Sequence, residues 1–257
     1  MTEAAVRIYD IMACNVYWDF ESPLQREQHK FLVSFYPTEV ATPELIQRIV
    51  ARGPQGYEVE ISNQRFTPSN TDGYIYDRTL NYYWYMLNLP TGYLPEGEYT
   101  IEVTCTNGEV LRKSRVQRDA PSQALISAYT EHRDTIVDSF SPAKSEQLPA
   151  GTSLENLRCQ WSTLRDLGGP DAFYIYRLSQ GRSAREFDTQ NLTWWDNIFI
   201  QRAHGNPEAG HNRGEVTVGA PLRPATPYAY FVEVTDANAQ SETNICIFQP
   251  HQMFVTP

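Results

Sequence analysis

Leu222-Arg-Pro224-Ala-Thr226-Pro-Tyr228, running into Ala229-Tyr-Phe-Val-Glu-Val-Thr235, is the stretch whose reading decides the fold. The prolines make a turn, and the β-branched and aromatic residues after Tyr228 make a strand. A tyrosine delivered in this way to the start of a central strand turns its ring inward. Its hydroxyl can then reach back to a nearby backbone group. The stretch speaks to architecture and is silent on chemistry.

The same pattern occurs earlier. Leu94-Pro-x-Gly-x-Tyr99, followed by Thr100-Ile-Glu-Val-Thr104, corresponds to Leu222-x-Pro-x-Thr-x-Tyr228 followed by Phe231-Val-Glu-Val-Thr235. Short strands, closely spaced turn signals and this duplication predict two β-sandwiches in tandem. In the first half, Tyr99, Ile101, Val103 and Cys105 alternate inward along one strand. Asn107-Gly108 then signals a tight hairpin, and Val110 opens the return strand. That strand carries Arg112, Lys113, Arg115 and Arg118, which read as protection of an exposed sheet edge or as a docking site for an acidic partner.

Upstream, residues 6–20 and 31–35 read as extended. Thr42-Pro-Glu-Leu-Ile-Gln-Arg-Ile-Val-Ala-Arg-Gly53 predicts a helix over 43–52, with Thr42 as cap, Pro43 in the first turn and Gly53 as terminator. Its stripe of Leu45, Ile46, Ile49 and Val50 would cover one end of the sandwich. Tyr57-Glu-Val-Glu-Ile61 alternates as a strand, and residues 67–77 read as loop. Asn81–Leu89 is apolar on both faces. Tyr83, Tyr85, Leu87 and Leu89 can fill the core, so Tyr82, Trp84 and Met86 point outward and require a cover, either from this chain or from a partner.

In the second half, Leu157-Arg-Cys-Gln-Trp161 places Trp161 and Cys159 inward. Phe173–Leu178 is a strand with its partner expected at Glu215–Val218, and a last strand is expected at 243–248. Trp161, the Phe173-Tyr-Ile-Tyr176 run and the Leu222–Tyr228 turn stand in the order of the second-strand tryptophan, third strand and tyrosine corner of fibronectin type III domains. Residues 136–250 resemble that family, and residues 1–120 resemble the broader immunoglobulin-like class. The expected organisation is an immunoglobulin-like β-sandwich over 1–120, a linker over 121–135 and a fibronectin type III-like β-sandwich over 136–257. The resemblance implies binding, spacing or scaffolding, with no catalytic residue to carry over.

The second domain departs from the family in a long 179–214 insertion holding Phe187, Trp194, Trp195, Phe199, His204 and His211. Long loops on a rigid sandwich are where binding usually resides. Trp194 and Trp195 cannot face the same way in a strand, so at least one is expected outside the core or at a domain junction.

The 257 residues carry a net charge of −10, which opposes non-specific binding to nucleic acid or anionic lipid. No stretch has the length and apolarity of a membrane span. Met1–Asp10 lacks the features of a signal peptide, which places the chain on the cytoplasmic side by default. Cys14, Cys105, Cys159 and Cys246 show no metal-ligand spacing; they read as buried thiols, or as one bridge per domain. GxSxG, HExxH and phosphate-cradling glycine loops are absent from the sequence. Neither a metal site nor a cofactor site is expected.

The leading expectation is a non-enzymatic structural or adaptor subunit that binds other proteins of a larger assembly, such as a membrane complex or a virion. Its candidate contact residues are Tyr82, Trp84, Met86, Arg112, Arg115, Trp194, Trp195 and Phe199. A carbohydrate-binding module is the alternative. There Trp194, Trp195, Tyr82 or Trp84 would stack on sugar rings, and Asp196, Asn197 or Arg202 would bond hydroxyls. A hydrolase using carboxylates of residues 186–215 stands last.

Overall fold

Tyr228 sits second in a nine-residue strand with its ring buried, and its hydroxyl oxygen accepts the backbone N–H of Arg223 at 2.8 Å. Tyr99 is placed alike in the first half, but its hydroxyl donates to the Pro95 carbonyl at 2.9 Å. Both corners are seen in the computed structural model. It describes residues 6–20, 25–67, 72–77, 81–182, 191–203, 205–236 and 242–257, without the side chains of Asp77, Phe199, Ile200 and Ala203. The chain is mostly β, with one helix longer than six residues among the described residues. It divides into two compact units, the first made of Met1–Val16, Glu27–Asp119 and Glu242–Asn244, the second of Tyr17–Arg26, Ala120–Ser241 and Ile245–Pro257.

The first unit contains β1 (Ile8–Trp18) up to Val16, β2 (Glu27–Phe35), β3 (Ile46–Arg52), β4 (Glu58–Ile61), β5 (Asp72–Asp77), β6 (Tyr82–Leu89), β7 (Gly97–Cys105) and β8 (Val110–Gln117). Strands β1-β2-β6-β5 make one sheet and β4-β3-β7-β8 the other. Lettered along the chain this is ABED against C′CFG, the order of an immunoglobulin-like sandwich. Phe31, Val33 and Phe35 of β2, Ile49 of β3, Tyr85 of β6 and Tyr99, Ile101, Val103 and Cys105 of β7 share its core.

Two expectations for this unit are corrected. Only Thr42–Leu45 is helical (α1); Ile46–Arg52 is the strand β3. The Thr-Pro-Glu start signal produces one turn. Pairing of β-branched Ile46, Ile49 and Val50 with β7, and of Ile49–Arg52 with β4, then overrides helix propensity. Part of the stretch read as loop, Asp72–Asp77, is the edge strand β5, in register with β6 from Asp72↔Leu87 to Asp77↔Tyr82. Its tyrosines supply the β signal: Tyr76 stacks on Tyr83 at 4.6 Å.

The second unit contains α2 (Asp119–Asp138), β9 (Glu146–Gln147), β10 (Arg158–Gln160), β11 (Phe173–Gln180), β12 (Leu192–Asp196), α3 (Ile198–Ala203), β13 (Glu215–Thr217), β14 (Pro227–Thr235), β15 (Ile245–Phe248) and β16 (Gln252–Val255). Its larger sheet runs β12-β11-β14. Both β15 and β16 pair with β14, and β9 lies parallel to β16. Strand β13 pairs with β10, across the core from β11, rather than with β11 as the sequence suggested. Residues 121–135, expected as a linker, lie inside α2, which buries Ser122, Leu125, Tyr129 and Ile136. These positions keep the three-and-four spacing of one helix face.

The core of this second sandwich is an aromatic column. Trp161 stacks on Tyr176 at 6.1 Å, Tyr176 on Tyr230 at 5.1 Å, and Tyr228 on Phe254 at 5.8 Å. Buried tyrosines need partners for their hydroxyls, and each has its own. Tyr174 accepts the Leu164 N–H at 2.7 Å, Tyr230 donates to the Pro142 carbonyl at 2.7 Å, and Tyr176 meets the Cys159 sulfur at 3.2 Å. All four cysteines are buried as thiols.

Candidate interaction surfaces

An inward/outward alternation along β11 and β14 gives their sheet a second face, formed by Phe173, Ile175, Arg177 and Ser179 with Ala229, Phe231, Glu233 and Thr235. In a free sandwich that face would meet water. Here all eight residues are buried. Part of the cover comes from the 179–214 insertion: Trp195, Ile198 and Ala209 pack on Phe173 and Ile175. The Arg177 guanidinium lies 5.0 Å over Trp195, and that of Arg202 lies 4.0 Å over the Phe173 ring. Gly210 permits the close approach. A Cβ there would stand 2.7 Å from the Tyr174 carbonyl oxygen and 2.8 Å from Ile198, with φ at +80°. Further cover comes from Phe20, which meets Phe231 at 5.0 Å, beside Trp18, which meets Phe248 at 5.2 Å.

The sequence-predicted contact residues therefore take separate roles. Trp195 belongs to the cover. Trp194 points to the other face, 5.8 Å from Tyr176 and against Gly219, where a Cβ would stand 2.9 Å from the indole nitrogen. The opposite orientation expected for the pair holds, and each ring is half-buried against its own unit. Asp196 is buried, accepting from Gln201 and Arg213, and the Arg202 Nε donates to the Pro207 carbonyl at 2.9 Å. Phe199 lies in α3 with its side chain outside the described residues, as are Phe187 and His204. Tyr82, Trp84 and Met86 were expected to need a cover from this chain or from a partner; all three are buried within this chain, with Tyr82 packed 5.7 Å from Tyr9.

Asp19, His29 and Cys159 are engaged inside their own units. The buried Asp19 carboxylate accepts the Tyr129 hydroxyl at 2.8 Å and the Arg133 Nε at 2.5 Å, with Arg26 on its other oxygen. This ties Asp19 and Arg26 to α2. In the first unit, His29 bonds the Gly92 carbonyl through Nδ1 at 2.7 Å and the Tyr57 hydroxyl through Nε2 at 2.8 Å. A carbonyl can only accept, so Nδ1 carries the proton and the Tyr57 hydroxyl donates to Nε2. Burial holds the His29 pKa below the usual imidazole value, and burial pushes Tyr57 up to about 12. Burial also pushes the Cys159 thiol up to about 12, against the nearby Tyr176 hydroxyl. Among the described residues no three His, Cys, Asp or Glu side chains group as metal ligands.

The outer face of β4-β3-β7-β8 in the first unit is different. Glu60 meets Arg48 at 2.8 Å, Glu58 meets Arg52 at 3.0 Å, Arg52 meets Glu102 at 3.1 Å, and Glu102 meets Arg112 at 2.6 Å. The charges alternate strand by strand and end on Arg112. Burial works to raise the Glu102 carboxyl, but Arg52 and Arg112 together pull it below its ordinary value.

Strand β8 pairs only with β7 among the described strands, so it is a sheet edge. The antiparallel register sets Val116, Ser114, Arg112 and Val110 opposite Glu98, Thr100, Glu102 and Thr104 on the outer face. Val110 and Val116 are 40% and 41% exposed, and with Val40 they are the exposed large hydrophobic residues among those described. On the inner side, the Lys113 Nζ donates to the Tyr9 carbonyl at 2.8 Å and Arg115 pairs with Asp10 at 3.0 Å. Burial raises the Asp10 pKa against the pull of Arg115. These two bases clasp β8 to β1 of the facing sheet, so Arg115 is spent within the sandwich. Inward charges of this kind blunt an edge without covering it.

No protein-family model matches the sequence, and no curated protein matches it. A solved structure of fibronectin(III)-like modules of Clostridium thermocellum CbhA is similar over 95% of this chain and 94% of that one, at 10% identity and a TM-score of 0.22. The fold assignment rests on the strand order and the two tyrosine corners.

Proposed function

We propose that the chain is a non-enzymatic structural or adaptor module that binds another protein within a larger assembly, through the first unit. The carrying observation is the exposure of Val110 and Val116 on one edge strand. Among the described residues, the candidate aromatics Tyr82, Trp84, Trp194 and Trp195 are committed to the chain's own sheets. An edge strand offers backbone N–H and C=O groups at regular spacing, which an extended segment can pair without any catalytic machinery. The tyrosine corner at Tyr99 and the clasp from Lys113 and Arg115 keep that edge in place.

The test is a photo-crosslinking residue placed at Val116 in cells of the native source, with a second probe at Gln55, exposed in the turn between β3 and β4. The reading expects one protein adduct at Val116 and none at Gln55. Equal or absent labelling at both positions contradicts it.

A further inference from the structure

The row of charges on the outer face of the first unit obeys a rule that its last strand leaves incomplete. From β4 to β8 the sign alternates, acid on β4, base on β3, acid on β7 and base on β8, and each neighbouring pair is in salt-bridge contact. Glu102 gives one oxygen to Arg52 and the other to Arg112. A fifth strand laid against β8 would continue the row with an acidic residue opposite Arg112, whose side chain is 62% exposed. Val110 and Ser114 flank Arg112 on the same face, so residues two positions either side of that acid would meet an apolar and a small neighbour.

We propose that β8 accepts, by strand addition, an extended segment of a partner protein that alternates acidic and β-branched residues. The proposal rests on the protein-binding reading above and names the chemistry of its partner. Charge selects the occupant. A second copy pairing through its own β8 would set Arg112, Lys113 and Arg115 against the same cluster, and directly opposed like charges destabilise a strand pair. Addition of another copy's β4, which is acidic, is a head-to-tail contact. It leaves one edge open at each end and brings together chains of net charge −10. An acidic segment of a different protein meets neither obstacle.

The probe is the blocked heptapeptide Thr-Val-Thr-Glu-Thr-Val-Thr, which reads alike in both strand directions, titrated into the full-length isotope-labelled protein at low ionic strength. The expected result is amide shift changes centred on residues 110–117. The variants Arg112→Gln and Arg112→Glu should weaken binding, the latter by about threefold or more. A peptide with lysine in place of glutamate should show the reverse order, preferring Arg112→Glu to the parent. Both variants change an exposed side chain, and their spectra without peptide report whether the fold is kept. Three results would each overturn the proposal: no shifts along 110–117, equal binding of the two peptides, or concentration-dependent self-association that perturbs the same amides. Such a failure leaves the Val116 crosslinking result standing, so the two claims fall separately.

Discussion

The corresponding sheets of the two units treat their outer faces in opposite ways. In the first, the face carries Arg48, Arg52, Glu58, Glu60, Glu102 and Arg112, joined by surface ion pairs. In the second, it carries Phe173, Ile175, Phe231 and Ala229, buried beneath Trp195, Ile198 and Phe20. The same strand arrangement therefore serves once as a solvated platform and once as a middle layer. An aromatic-rich insertion is thus poor ground for inferring an aromatic binding surface. It can equally be a lining that the sheet beneath it requires.

The largest expected effect breaks the covered side. Phe231→Ala removes a buried ring from between Phe20 and Phe248 and should cost ~3–5 kcal/mol. Urea unfolding monitored by tryptophan fluorescence would read this, since Trp18, Trp161, Trp194 and Trp195 all belong to the second unit. A cost below ~1 kcal/mol would mean that the face is not a packed layer. Next in size, Asp19→Ala leaves Tyr129 and Arg133 without their carboxylate. Because Arg26 and Arg133 are each more than a third exposed, solvent recovers part of the loss, and ~2 kcal/mol is expected. Hydrogen exchange should show α2 opening before the strands do. If α2 keeps the protection of β14, then Asp19 is not its anchor.

The two corners give a sharper contrast. Tyr228→Phe strands a backbone N–H, that of Arg223, whereas Tyr99→Phe strands only the Pro95 carbonyl. Orphaned donors are rarer in proteins than under-satisfied carbonyls. The first variant should therefore cost ~1–3 kcal/mol and the second about 1 kcal/mol or less. The reverse order in thermal unfolding would refute this assignment of donor and acceptor.

Legibility in the sequence differs by element. Tyr99 and Tyr228 were legible, because a corner is a local arrangement of turn, ring and strand. So were Trp161 and the Asn107-Gly108 hairpin. The strand at Ile46–Arg52 was not, because Thr42-Pro-Glu44 is a true helix start and only the neighbours β4 and β7 draw the chain into sheet from Ile46 onward. The helix through Tyr129 was missed although Ser122, Leu125, Tyr129 and Ile136 keep helical spacing. Polar Ser122 hid the first turn, and Ile126 and Val137 blurred the stripe. The roles of Trp195 and Arg177 could not be read from spacing, since sequence does not say that an outer sheet face has been covered. The basic run on β8 was visible from the start, but its division into an inward clasp and an outward end of a charge row needed the register.

Two smaller effects refine the platform side. His29 is held neutral by burial and has its folded pKa lowered, so the unfolded chain takes up the proton first as pH falls. Its contribution is present above the unfolded value near 6.5 and is lost as pH drops toward the folded one. Replacing His29 with Gln should flatten thermal stability between about pH 7 and 5, and an unchanged slope would show that His29 is not its source. Smallest of all, Glu102→Gln should cost no more than about 1 kcal/mol at low salt, fading at about 1 M salt as the ion pairs are screened. Because the Glu102 pKa is depressed, its contribution is held above the ordinary carboxylate range and lost below it. A salt-independent cost would place the row's energy in packing instead.

Hydroxyl-radical footprinting of the full chain, resolved by residue, tests the contrast between the two faces most directly. The account predicts strong protection at Trp84, Trp161, Phe231 and Phe248, with Val110 and Val116 readily modified. Heavy oxidation of Phe231 and Trp84 with protection at Val110 and Val116 would contradict it.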